Sequence, residues 1–462
     1  MLRVHLLLPA LVLLSACSAP PELQNPTPEL PAAWQASAAD TADLSPGWLI
    51  ELNDPVLVDL VDEALQGNPA LAIARQQLIA AEQRVQITGA DRYPQVALEL
   101  SSRRQEDNDR RDALDLTLGW TLDIWGKLDA DQQASELARA AAEAAYTEQR
   151  EALAAELARN WFALQEAQLL LQLYRERRDN LQQNLEIIEA GYRQGLNEAL
   201  DLYLARNNVH AEAARLTQQR QVLGELQREL ERLLGRYPAA VLSTDARLPI
   251  IDTEIPAGQP AEILVRRPDL QQHWLELLAA DATLASAHRD RFPSLSLNAA
   301  YGGSSDALGD LLSGGNLAWS LGASLAQSVF DAGRKSARQE QALAQRREQE
   351  QHWLDALFTA FAEVENALSA RTALQTRHAL YLQAEQNALH AETLAFEQYQ
   401  HGLESYTTVL EAQRRALDAQ TSVINLRRQL LDNRIEMHRA LGGRFHVMPP
   451  ASALQVEELE TP

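Results

Sequence analysis

The carboxylates Asp201, Glu404 and Glu411 stand at or just past two matching turns, Gly191 to Glu198 and Gln398 to Ser405. Acidic side chains brought together form a negative field that admits cations and resists anions. Each of them alone would equally serve as the solvated surface of a helix. A second reactive group is Cys17, the only thiol in the chain. No disulfide can therefore form within the chain, and no cysteine metal site exists. The ten histidines are scattered; His210, His273, His288 and His352 lie far apart, and no pair falls into a zinc spacing. No Gly-x-Ser-x-Gly, phosphate loop or His-Glu-x-x-His occurs. No catalytic residue, metal site or cofactor is expected, and an enzyme has no motif to support it. A net charge of -23 and a pI near 4.9 argue against nucleic acid held by a basic field.

The chain that carries these groups is doubled. Tyr93-Pro94 returns as Phe292-Pro293, and Asn68-Pro69-Ala70-Leu71 as Arg267-Pro268-Asp269-Leu270, each 199 residues on. Gly191-Tyr192-Arg193-Gln194-Gly195-Leu196 returns as Gln398-Tyr399-Gln400-His401-Gly402-Leu403, and Leu234-Gly235-Arg236 as Leu441-Gly442-Gly443, each 207 residues on. A tandem unit of about 200 residues is far longer than a solenoid repeat. Aromatic residues make up only 5% of the chain, while Ala, Leu, Gln, Glu and Arg dominate. That is the composition of long helices packed through small side chains. Helices are expected at Pro55 to Gly67, Pro69 to Thr88, Leu128 to Tyr192 and Ala199 to Leu234. The second copy should add Lys335 to Gln400 and Tyr406 to Leu441. The longest would run about 95 Å at 1.5 Å per residue. Such helices do not fold into a ball; they are coiled coils or the staves of a barrel.

Between the helices the period drops to two. Val96, Leu98, Leu100 and Ser102 alternate with Ala97, Glu99 and Ser101, and after the charged stretch Gln105 to Asp112 the alternation resumes from Leu114 to Leu122. Leu295 to Tyr301 and Leu317 to Leu325 repeat the device around the Gly302 to Asn316 loop. The strands expected are about 95–104, 113–123, 294–303 and 316–327. Each arm has roughly the ten residues that a tilted transmembrane strand needs. Trp120, Trp125, Tyr301 and Trp319 suit an interfacial aromatic belt. No later segment has eighteen uninterrupted apolar residues, so any crossing of a bilayer must use strands.

The amino terminus carries Arg3, an apolar run from Leu6 to Leu14, and then Ser15-Ala16-Cys17. The run reads as a secretory signal. Its end resembles the lipobox of bacterial lipoproteins, which implies that Cys17 carries acyl chains, palmitate among them. Ser18 in place of an aspartate implies the outer membrane. These readings divide the chain into a signal peptide 1–16, a lipid-anchored tether 17–46, a first repeat 47–237, a linker 238–259, a second repeat 260–445 and a tail 446–462.

Several stretches resemble the outer membrane factor family, the TolC-like channels, and in particular their lipoprotein branch of efflux channels. They are Leu264-Val265-Arg266-Arg267-Pro268-Asp269-Leu270, Phe292-Pro293-Ser294-Leu295-Ser296-Leu297, Trp120-Thr121-Leu122-Asp123-Ile124-Trp125-Gly126-Lys127 and Phe330-Asp331-Ala332-Gly333-Arg334. His273-Trp274 departs from the Ala-Glu usual there, and a local packing change is expected. The resemblance implies an α+β membrane protein whose long helices are the staves of a periplasmic α-barrel, with four transmembrane strands per chain and a 12-stranded β-barrel made by a homotrimer. The strand count supports this independently, because four strands leave open edges in lipid and three chains give an even twelve. Two chains would give eight, with a lumen filled by side chains. The implied work is that of an outer membrane exit duct for efflux, fed by an inner-membrane pump of the RND type through a periplasmic membrane-fusion adaptor. The duct would sit among outer membrane lipid and extend into the periplasm, with no nucleic acid partner. Protein export by type I secretion, and a lipid-anchored coiled-coil spacer without a pore, are the alternatives. The resemblance also implies that Gly195, Leu196, Gly402 and Leu403 at the tips dock the adaptor. It makes Asp201, Tyr399, Glu404 and Glu411 a periplasmic gate. The copies differ there, since Asp201 answers to Thr408, and Glu411 to Leu204.

Overall fold

A computed structural model describes residues 26, 28, 30–36, 47–104, 110–251, 255–306, 311 and 317–445. Cys17, residues 37–46 of the expected tether and the tail lie outside the described residues. In chain order the elements are α1 (Trp48–Glu51), α2 (Pro55–Gly67), α3 (Pro69–Ala90), β1 (Gln95–Arg104), β2 (Arg110–Leu122), α4 (Lys127–Arg193) and α5 (Ala199–Leu233). The second half contributes α6 (Ile263–Arg266), α7 (Pro268–Arg289), β3 (Ser294–Ser305), β4 (Leu317–Ala326), α8 (Arg334–Gln400) and α9 (Tyr406–Ala440). Helices α4 and α8 have 67 residues each and α5 and α9 have 35 each. Between Lys127 and Arg193 there is no proline and one glycine, in the last turn, so nothing interrupts the backbone ladder. No helix among the described residues is long and apolar enough to cross a membrane.

The described residues fall into two compact units. The first combines Arg75–Tyr146 with Asp269–Leu357 and holds an antiparallel sheet in the order β1-β2-β3-β4. Its register sorts the side chains by chemistry. Val96, Leu98 and Leu100 pair with Leu118, Leu116 and Leu114. Those three pair with Ala299, Tyr301 and Gly303, and these in turn with Leu321, Trp319 and Leu317. One face is thus apolar across all four strands, and Leu98, Leu321 and Trp319 on it are exposed by 70, 71 and 77%. The opposite face carries Glu99, Asp115, Thr117, Asn298 and Ser320. Strands β1 and β4 are the edges, each paired on one side only.

Strand β2 begins three residues earlier than the apolar alternation implies. Asp112, expected in a loop, pairs with Ser102 and Ser305 and is fully buried. Pairing depends on backbone groups, so charged side chains do not end it. Strand β3 likewise runs on to Ser305, and β4 is one residue shorter at each end. Where strands meet helices, the indole of Trp125 donates to the Pro293 carbonyl (2.7 Å), Arg289 donates to the Gly126 carbonyl (2.6 Å) and Lys127 pairs with Asp290 (2.5 Å). At the departure from the family pattern, His273 bonds Glu276 (3.2 Å) and Trp274 lies 5.2 Å from Trp353.

The second unit combines Leu30–Ala74, Thr147–Pro268 and Phe358 onward. Here the two copies solve one problem with different residues. The last carbonyls of a helix have no partner within it. Asn68 donates to the Leu233 carbonyl at the end of α5 (2.8 Å), while Arg267 donates to the Ala440 carbonyl at the end of α9 (3.3 Å). Both helices close with a glycine in the left-handed region, Gly235 and Gly442. In each copy the next residue's amide bonds back five positions: Arg236 to Glu231 and Gly443 to His438. A Cβ on Gly235 would run into the Gly67 carbonyl, and one on Gly442 into the backbone at Arg266 and Arg267. Past α5, buried Glu231 accepts amides from Ala240, Val241 and Leu242 and fixes the start of the linker. Trp34 is buried and donates to the Ala257 carbonyl, and Glu365 accepts the amides of Gln35 and Ala36. This part of the tether is therefore docked. Around Gly195 there is open space, so Gly195→Ala should cost about 1 kcal/mol of backbone strain. Gly235→Ala and Gly442→Ala should lower the thermal midpoint clearly further; equal losses at all three sites would contradict the packing argument.

Candidate functional site

Both long-helix pairs turn on the same hydrogen bonds. Gly195 N–H reaches the Tyr192 carbonyl (3.0 Å) and Leu196 N–H the Gly191 carbonyl (2.9 Å). Gly402 N–H reaches Tyr399 (2.9 Å) and Leu403 N–H reaches Gln398 (2.9 Å). Glycine is required because φ is +74° at Gly195 and +70° at Gly402. An apolar residue after such a glycine commonly packs back on its helix. Leu196 and Leu403 instead stand 76 and 74% exposed, an unsatisfied apolar side chain at each tip.

The turns differ in how the next helix starts. In the first, Asn197 donates to the Ile188 carbonyl (3.2 Å), and Glu198 gives α5 no side-chain cap. In the second, Ser405 caps α9 by accepting the Thr408 amide, and Thr408 donates to Glu404 (3.0 Å). Behind the turns, Ile188, Leu202, Ala205, Ala395, Tyr406 and Val409 form a buried cluster drawn from all four helices. Tyr399 lies against it and donates its hydroxyl to Asp201 (3.0 Å). Burial, reinforced by Asp201, pushes the Tyr399 phenol far up, and burial pushes Tyr406 up to about 12. Tyr399 therefore keeps the proton it donates at any physiological pH. Arg177 of α4 and Glu392 of α8 add an ion pair (3.1 Å) between the copies, and burial raises the Glu392 carboxyl.

Of the four expected gate residues, the fold brings Asp201 and Tyr399 together. Glu404 sits on the second turn, bonded to Thr408. Glu411 is ion-paired to Arg415 (2.8 Å) and Arg414 (2.9 Å) on its own helix, whose hydrogen bonds hold its carboxyl below the usual range. Each of the three carboxylates thus has a different partner within the chain.

In the sheet, Tyr301 and Trp319 are cross-strand partners on the exposed apolar face. Trp120 is tied to the Arg92 carbonyl (3.0 Å), and Trp125 is half-buried with its ring 5.2 Å from Phe292. Sequence reasoning missed one pair: Glu99 and Asp115 face each other in register on the polar side. Like charges directly opposite are unfavourable. Gly302, the next partner of Asp115, leaves the room that its carboxylate occupies. The signal was present, since both acids stand in the polar phase of their alternation. Among the described residues no group of three or more His, Cys, Asp or Glu side chains could hold a metal ion.

The family model described as outer membrane efflux protein matches residues 60–236 and 260–443. The probable efflux pump outer membrane protein TtgC of Pseudomonas putida is 28% identical over 97% of both chains. The cation efflux system protein CusC of Escherichia coli is 28% identical over 78% of this chain and 81% of its own. Among solved structures, the outer-membrane channel OprN superposes with a TM-score of 0.84 at 27% identity, covering 93% of this chain and all of that one. The long helices and four-stranded sheet described above are the architecture these channels share.

Tyr399→Phe keeps the ring and deletes its bond to Asp201. The lost bond is worth about 1 kcal/mol, so amide exchange should speed up several-fold in the first turn of α5 and not at the start of α4. Exchange unchanged at Asp201 and Leu202 would show that the bond does not hold the turn.

Proposed function

Because the chain belongs to the outer membrane efflux protein family, we propose that it forms the outer membrane channel of a tripartite efflux system. One observation carries this reading: on one face of the sheet leucine and aromatic side chains run across all four strands, the other face carries Glu99, Asp115, Thr117, Asn298 and Ser320, and the sheet is open at β1 and β4. Hydrocarbon tolerates the apolar face but not the open edges. Three copies joined edge to edge satisfy both demands and turn the polar face to a water-filled lumen. Glu99 and Asp115 then line that lumen three times over and favour cations.

In this reading the long helices reach into the periplasm, and substrate arrives from an inner-membrane pump, of the RND type, through a periplasmic adaptor. The exposed Leu196 and Leu403, set by Gly195 and Gly402, offer the adaptor two repeat-related apolar contacts. The bond from Tyr399 to Asp201 ties the copies together behind the tips and acts as a gate latch, with Glu404 and Glu411 contributing charge at the rim. Cys17 carries the lipid anchor, supported by the Leu14-Ser15-Ala16-Cys17 sequence.

Protein extracted in detergent should be trimeric and should conduct ions across planar bilayers, with a cation preference that Glu99→Gln together with Asp115→Asn reduces. Monomers without conductance would end the channel reading. Palmitate labelling in cells should disappear in Cys17→Ser; labelling that persists would remove the anchor.

A further inference from the structure

The tandem repeat does more than lengthen the chain, because a contact made within it has a counterpart that one chain cannot make. In the second unit α4 lies antiparallel to α9 and meets it at a regular series of positions. Glu151 accepts the Phe445 amide (3.0 Å) and feels the charge of neighbouring Arg444. Further along, Arg159 pairs with Glu436 (3.0 Å) and Glu166 with Arg428 (2.7 Å). Helix α8 is α4 carried forward by 207 residues, and α5 is α9 carried back by 207. The turn beyond α5, at Gly235, has the same hydrogen bonds and the same sign of φ as the turn beyond α9, at Gly442. Positions can therefore be transferred from one copy to the other even past the helix ends.

The transfer takes Glu151 to Phe358, Arg444 and Phe445 to Tyr237 and Pro238, Arg159 to Asn366 and Glu436 to Glu229. Phe358 is 59% exposed and Tyr237 86% exposed. Both are large rings left in water in one chain, and the repeat brings Phe358 to the Tyr237-Pro238 step as it brings Glu151 to the Arg444-Phe445 step. We propose that Phe358 of one protomer packs against Tyr237 of the next, closing the ring of helices between protomers where Glu151 and the Phe445 amide, beside Arg444, close it within a protomer. Asn366 then meets Glu229 of that same neighbour. The within-chain contacts use charge, whereas the between-chain contact uses two aromatic rings. Burying both rings gives the assembled interface an apolar contact that the separate chain lacks.

This inference rests on the trimeric channel reading, and its test separates the two. Phe358→Cys and Tyr237→Cys are introduced singly and together, Cys17 being the only native cysteine. Trimer content is measured first by native mass spectrometry in detergent, and the samples are then treated with a short bis-maleimide. The double variant should give covalent dimers and trimers on a denaturing gel, and each single variant only background. Assembled trimers of the double variant that give no ladder would overturn the contact and leave the channel intact. A full ladder from either single variant would also overturn it, because it would bring identical positions together. Unsubstituted chains that stay monomeric would overturn both readings. In a second measurement, Phe358→Ala and Tyr237→Ala should each lower the temperature at which the trimer dissociates, and the double variant should lose little more than either. Fully additive losses would show that the two rings do not touch.

Discussion

Backbone amides and carbonyls in hydrocarbon have no water to turn to, so each must find its partner within protein. Strands β1 and β4 leave one side of their ladders unanswered, and among the described residues the apolar face between them lies exposed at Leu98, Tyr301, Trp319 and Leu321. Both features would be faults in a soluble protein, where an exposed apolar sheet with open edges invites aggregation. In a barrel closed by further copies they are requirements. The four-stranded sheet thus dictates that the functional object is larger than one chain, and the helices must follow the same symmetry.

The repeat supplies that symmetry in a form that tolerates divergence. Asn68 and Arg267 share no chemistry beyond donating N–H groups, yet each caps the last carbonyls of the equivalent helix. Backbone geometry is held at Gly195, Gly235, Gly402 and Gly442 while the side chains around it drift. The drift concentrates at the tips. Tyr399 has its counterpart in Tyr192, but Asp201 answers to Thr408, so the bond from Tyr399 to Asp201 has no repeat-related twin with a carboxylate.

Much of the fold was legible in the sequence because it is written in periodicity. The long helices contain no breaker, and their ends carry glycine, so their bounds fall within one residue of expectation. The strands were legible as a change of period, but the start of β2 was not, since Arg110, Arg111 and Asp112 look like loop and pair like strand. Contacts between distant residues were harder. Nothing along the chain announces that Tyr399 meets Asp201, 198 positions away, or that Glu99 stands opposite Asp115. Glu411 was read as a gate carboxylate, and its pairing with Arg414 and Arg415 on its own helix was not visible in that reading. Trp125, chosen for the membrane surface, also serves to hold a strand end to Pro293.

The central claim is that the sheet's apolar face meets lipid while its polar face lines water. The alternation along β4 tests it most directly. Cysteines placed one at a time from Ala318 to Leu325 would be probed in intact cells with a membrane-impermeant thiol reagent small enough to enter the pore. Ser320, Gly322 and Ser324 positions should react, and Trp319, Leu321, Ala323 and Leu325 positions should stay protected. Labelling without this two-residue period would contradict a strand that spans the membrane.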